Sequence, residues 1–100
     1  MTITTDPALP AQSWDDVVVT FSRQVTIQDF LQHVKVTMWG AGDDYEAVLT
    51  NMGSGKIGIK QTPSDEETSY FEGDGTNITY TWKDMSSHHG SRLKGIEWQD

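Results

Sequence analysis

Residues 51–59 read NMGSGKIGI. A glycine-rich turn ending in lysine either cradles a phosphate and runs into a helix, or closes a β-hairpin. The two readings lead to different fold classes. A phosphate loop of the G-x-x-x-x-G-K-[ST] type would place Gly55-Lys56 correctly, but needs glycine where Thr50 stands and a hydroxyl where Ile57 stands. It also needs a helix directly after the lysine. The chain continues instead with Ile57-Gly58-Ile59-Lys60, alternating and glycine-bearing, which suits a strand. The stretch is therefore read as a hairpin with Gly53-Ser54-Gly55 as a three-residue connection, since glycine adopts positive φ freely.

The same period-2 pattern recurs on both sides. Val17, Val19 and Phe21 alternate with Val18, Thr20 and Ser22. Val34, Val36 and Met38 share a face opposite Trp39. Tyr45, Ala47 and Leu49 form one side of a further run, and Ile78, Tyr80 and Trp82 one side of another. "SYFE" at 69–72 and "LKGIEW" at 93–98 add two weaker strands. Val17, Val19, Phe21, Val34, Val36, Leu49, Ile57, Ile59, Ile78, Tyr80 and Trp82 are the expected core. Residues 26–33 are the one helical candidate, with Thr26 as N-cap, Asp29 in the first turn, and Ile27, Phe30 and Leu31 on one face. A strand continuing from Val25 is the competing reading.

About seven short strands at spacings of ~8–12 residues imply an all-β or β-dominated α+β fold. The strands should be mostly antiparallel and arranged as a meander, sandwich or small barrel, with a short helix at 27–33. No βα repeat is present, which disfavours a doubly wound sheet. With 100 residues a single domain is expected at 13–100. Residues 1–12, with Pro7 and Pro10, are expected to form a flexible or extended arm.

Net charge is −8, from 15 acidic and 7 basic residues. Asp43, Asp44 and Glu46 form one acidic group. Asp65, Glu66, Glu67, Glu72 and Asp74 form another, with no base among them. Such groups keep a small protein soluble, and they also suit a partner with a basic surface or imitate a phosphate backbone. The chain lacks the basic patch that direct nucleic-acid binding requires. Trp39, beside Gly40 and ahead of Asp43, Asp44 and Tyr45, or Tyr45 itself, is expected as the interface anchor among these partner-binding acids.

Several chemistries are disfavoured. There is no cysteine, which removes disulfides, thiolate metal sites and thiol nucleophiles. Asp84, His88 and His89 are weak metal candidates. Ser86, Ser87 and Gly90 make their segment a loop, and zinc sites usually take three or four protein ligands. "EGDGTN" at 72–77 is faintly similar to a calcium loop, but that loop needs a terminal glutamate and flanking helices, and strands are expected on either side, so Asp74-Gly75 is better explained as hairpin turn chemistry. No nucleophile elbow occurs. Adjacent acids such as Asp15-Asp16 point to opposite faces of a strand and cannot act as an acid/base pair. No enzyme activity and no cofactor are expected.

No apolar stretch is long enough to span a membrane, and the N-terminus has no basic region leading into an apolar run, so a cytoplasmic protein is expected. Three functional readings are open. The leading one is a non-enzymatic protein-binding module of inhibitor, immunity, anti-defence or accessory-subunit type, acting through its acidic surface. The second is a small-ligand or carbohydrate-binding domain using Tyr70, Tyr80 and Trp82. The third is a structural component of a virion or larger assembly. Oligomeric state is not specified by the sequence.

Overall fold

The computed structural model describes residues 1–11, 16–40, 42–73, 79–85 and 92–100. The elements are β1 (Ile3–Asp6), β2 (Val17–Phe21), α1 (Ile27–His33), β3 (Val34–Trp39), β4 (Asp44–Glu46), β5 (Val48–Gly53), β6 (Lys56–Lys60), β7 (Ser69–Glu72), β8 (Thr79–Asp84) and β9 (Arg92–Trp98). Among the described residues, therefore, nine strands and one helix are present, two strands more than expected. The strands form a six-stranded sheet, β1-β2-β8-β7-β6-β5, and a three-stranded sheet, β4-β3-β9. Every neighbouring pair is antiparallel.

The hairpin at 51–59 is the β5–β6 connection. Its loop is tighter than expected, because Gly53 pairs with Lys56 and leaves only Ser54 and Gly55 between the strands. Both have positive φ, 55° and 76°, as a type I′ turn requires. Gly53 also has positive φ (82°) and sits where the register shifts, with Met52 as the extra residue. The Asn51 side-chain oxygen accepts from the Gly53 N–H at 2.8 Å and holds this bend.

The run read as one strand from Tyr45 to Asn51 is two strands in two sheets. β4 pairs with β3, and β5 pairs with β6. The chain crosses between sheets at Ala47, whose N–H donates to the Val36 carbonyl at 2.8 Å. Alternation could not show this, because Tyr45, Ala47 and Leu49 all pack against the same core from successive sheets. Leu49, expected as core, is only half-buried, since β5 is an edge strand. Ile78 lies outside the described residues.

Residues expected as an N-terminal arm contain β1, which pairs along β2 from Ile3 to Asp6. Ala11 is buried and donates its N–H to the Leu93 carbonyl at 2.9 Å.

The core lies between the sheets. The larger sheet contributes a row of register partners, Val17, Trp82, Phe71 and Ile57, all fully buried. The smaller sheet contributes Val34, Val36, Met38 and Leu93. Helix α1 places Phe30 in their midst. Its ring meets Phe21 and Tyr80 edge-on at 5.7 and 5.0 Å, and Phe71 at 5.3 Å. Burying each such side chain contributes about 1.5–3 kcal/mol. A reciprocal cap starts this seven-residue helix: Thr26 Oγ1 accepts from the Asp29 N–H, and Asp29 Oδ2 accepts from the Thr26 N–H.

Candidate functional site

Trp39 ends β3 on the face away from the core, opposite in sense to the buried Met38. Pairing places Asp44 on one side of it and Arg92 on the other. The Arg92 guanidinium lies 4.5 Å from the indole centroid, and the Lys94 ammonium 5.7 Å. Lys94 also forms an ion pair with Asp44. The tryptophan expected beside acids is thus half-buried under two cations, one of which neutralises an acid of the group. Arg92 and Lys94 are the residues that sequence reasoning missed. They lie about fifty positions downstream, and only strand pairing brings them to Trp39.

Gly40 makes the tight β3–β4 corner. A Cβ there would lie 2.7 Å from the Asp43 carbonyl oxygen and 3.3 Å from the Tyr45 ring. Tyr45 pairs with the inward-facing Met38 and packs against the core, so it does not join Trp39 on the outer face. Asp43 and Glu46 are exposed and have no cation partner among the described residues.

The second acidic group is divided. Asp65 closes the turn that begins at Thr62: its Oδ2 accepts from the Thr62 N–H at 3.0 Å, and its own N–H donates to the Thr62 carbonyl. Glu66 is exposed. Glu67 folds back over β6, and its Oε1 accepts from the Thr50 hydroxyl at 3.3 Å. Its stem occupies the space above Gly58, where a Cβ would come within 2.5 Å of Glu67 Cγ. Glu72 pairs with Lys56 at 3.9 Å, and Lys56 sits 5.0 Å above the Tyr70 ring. Glu72 lies opposite Lys56 and Ser69 opposite Ile59, so Glu72 and the 62–68 loop flank opposite ends of β7. Asp74 lies outside the described residues.

Asp84 ends β8 opposite Ser69, whereas His88 and His89 lie outside the described residues. Among the described residues, no three His, Cys, Asp or Glu side chains converge as metal ligands would. Tyr80 and Trp82 are buried in the core, while Tyr70 pairs with Lys83 on the opposite face of the sheet. The three aromatics therefore do not line one pocket. The Tyr80 hydroxyl donates to the Val25 carbonyl at 3.4 Å, and burial raises its pKa above the ordinary tyrosine value.

Trp98, a late aromatic in the sequence, anchors the C-terminus to α1. It stacks on His33 with ring centroids 4.7 Å apart and meets Phe21 edge-on. Gln99 is held by His33 twice, its carbonyl by Nδ1 at 2.8 Å and its N–H by the His33 carbonyl at 2.7 Å. The Nδ1 contact to a carbonyl requires the ring proton on that nitrogen.

No described helix is long and apolar enough to cross a membrane. Comparisons with protein families, with curated proteins and with solved structures find no match.

Proposed function

We propose that the protein is a small non-enzymatic binding module that docks a partner with a basic surface through its exposed carboxylates. The observation that carries this reading is the contrast between two kinds of acid. Asp44, Glu72 and Glu97 are matched by Lys94, Lys56 and Lys35. Asp43 at the β3–β4 corner and Glu66 on the β6–β7 loop are exposed and without a cation among the described residues. Unmatched surface carboxylates on a chain of net charge −8 project a field that speeds encounter with a cationic surface. Asp65 extends the acidic loop, although its carboxylate also caps the local turn.

The test is quantitative capture from an extract of the native host, with wild type and the D43K/E66K variant as baits. Both substitutions fall on exposed side chains, so the fold should be kept. A basic protein held by wild type at about 50 mM salt, and lost both with the variant and at about 500 mM salt, supports the reading. The same proteins on both baits would refute it.

A further inference from the structure

We infer, resting on the docking reading above, that Glu67 is a positioning residue: its seat on β6 holds the acidic 61–68 loop so that Glu66 is presented to the basic partner. The three consecutive acids of this loop have different fates. The Asp65 carboxylate accepts from the Thr62 N–H at 3.0 Å and closes a local turn. The Glu67 carboxylate accepts from the Thr50 hydroxyl on β5 at 3.3 Å. Glu66, between them, is exposed, and its carboxylate has no partner among the described residues.

The strands prepare the seat. Gly58 lies on the outward face of β6, between the inward Ile57 and Ile59, and is nevertheless buried. Glycine inside a strand weakens it and marks a place where another group approaches closely. Here the approaching group is the Glu67 stem. A Cβ on Gly58 would lie 2.5 Å from Glu67 Cγ, 2.8 Å from Thr50 Oγ1 and 2.9 Å from Met52 Cγ. Lys56 and Lys60 stand two residues to either side of Gly58 on the same face, and their charge favours a carboxylate between them.

The loop changes character at this point. Residues 61–66 are all exposed, whereas Glu67 and Thr68 are half-buried. The Thr68 N–H donates to the Ile59 carbonyl at 3.0 Å, and the Thr68 carbonyl accepts from the Met85 N–H at 2.9 Å. Glu66 therefore sits between a closed turn and a pinned end. A carboxylate fixed on both flanks loses little conformational freedom on docking, which is how preorganisation favours binding.

Three variants separate position from charge. Glu67→Ala removes the seated stem and its charge. Glu67→Gln keeps an oxygen for Thr50 without the charge. Gly58→Ala fills the seat and leaves every charge in place. Backbone amide relaxation reads the order of the loop. At Glu66, wild type and Glu67→Gln are expected to be rigid, with an order parameter of about 0.85, and Glu67→Ala and Gly58→Ala flexible, below about 0.6. The basic protein that D43K/E66K fails to capture should be held by Glu67→Gln to within about twofold of wild type, and by the other two variants about threefold less. Glu67 lies on the surface, so its two variants decide the matter should Gly58→Ala fail to fold. An order parameter at Glu66 that is equal in wild type and Glu67→Ala overturns the inference. Equal loss of capture with Glu67→Gln and Glu67→Ala also overturns it, because Glu67 would then act through its charge. If D43K/E66K captures the same proteins as wild type, the docking reading fails, and the relaxation result still decides whether Glu67 positions the loop.

Discussion

The Arg92 guanidinium lies over the Trp39 indole, 4.5 Å from the ring centroid, joining the far ends of β9 and β3. The contact turns an aromatic that alternation leaves exposed into a packed element of the small sheet. Exposed pairs of this kind contribute about 0.5–1 kcal/mol. A double-mutant cycle with Trp39→Leu and Arg92→Ala, read out by urea unfolding, should show a coupling of that size. A coupling indistinguishable from zero would mean that the two side chains merely lie near each other.

Phe30 is the one helical residue that reaches the centre of the core, with three aromatic rings around it. Phe30→Ala should destabilise the fold by about 3–5 kcal/mol. That is a large part of the ~5–15 kcal/mol that a domain of this size holds. Chemical denaturation should therefore show a sharply lowered midpoint or a chain already unfolded in buffer. A loss under about 1 kcal/mol would show that α1 is not part of the packed core.

Seven residues are too few for a helix to persist alone, so α1 depends on its cap and on Phe30. Thr26→Ala should reduce stability by about 1 kcal/mol, whereas Thr26→Ser should keep most of it. Amide exchange at Asp29 and Phe30 is the local readout. Unchanged protection in the alanine variant would contradict the capping role.

Tyr80 gives the fold an alkaline limit. Burial raises its pKa in the native state above the unfolded value near 10. Between those two values the native state holds more protons than the unfolded one, so unfolding becomes easier as pH rises. This contribution is fully present below about pH 10 and is lost as pH climbs through the native-state pKa. Tyr80→Phe should reduce stability slightly at about pH 9, by loss of the bond to Val25, and flatten the decline towards about pH 11. An equally steep decline in the variant would assign it to other groups.

Much of the architecture was legible from alternation, because each sheet buries one face and a strand's side chains change face at every residue. Val17, Val19, Phe21, Val34, Val36, Ile57, Ile59, Tyr80 and Trp82 are all buried as that pattern implies. The capped helix was legible too, from Thr26 and Asp29. The change of sheet at Ala47 was not, since both sheets face one core and the parity runs on unbroken. Phe71 was equally hidden, because "SYFE" offers two adjacent aromatics, and only pairing with Trp82 decides which turns inward. Least legible was the surface around Trp39. Its neighbours Arg92 and Lys94 arrive from a distant strand, and a bulge between Thr37 and Met38 sets their register. Glu67 shows the same limit: it reads as one more surface acid, yet its stem lies over Gly58 and its carboxylate is bound to Thr50.

Docking of a basic partner by exposed carboxylates is tested most directly by kinetics. Once a partner is captured, its association rate should be measured against wild type and D43K/E66K across a range of salt. The variant is expected to associate at least tenfold more slowly at low salt, with a rate that depends less on ionic strength. An unchanged association rate at low salt would contradict it.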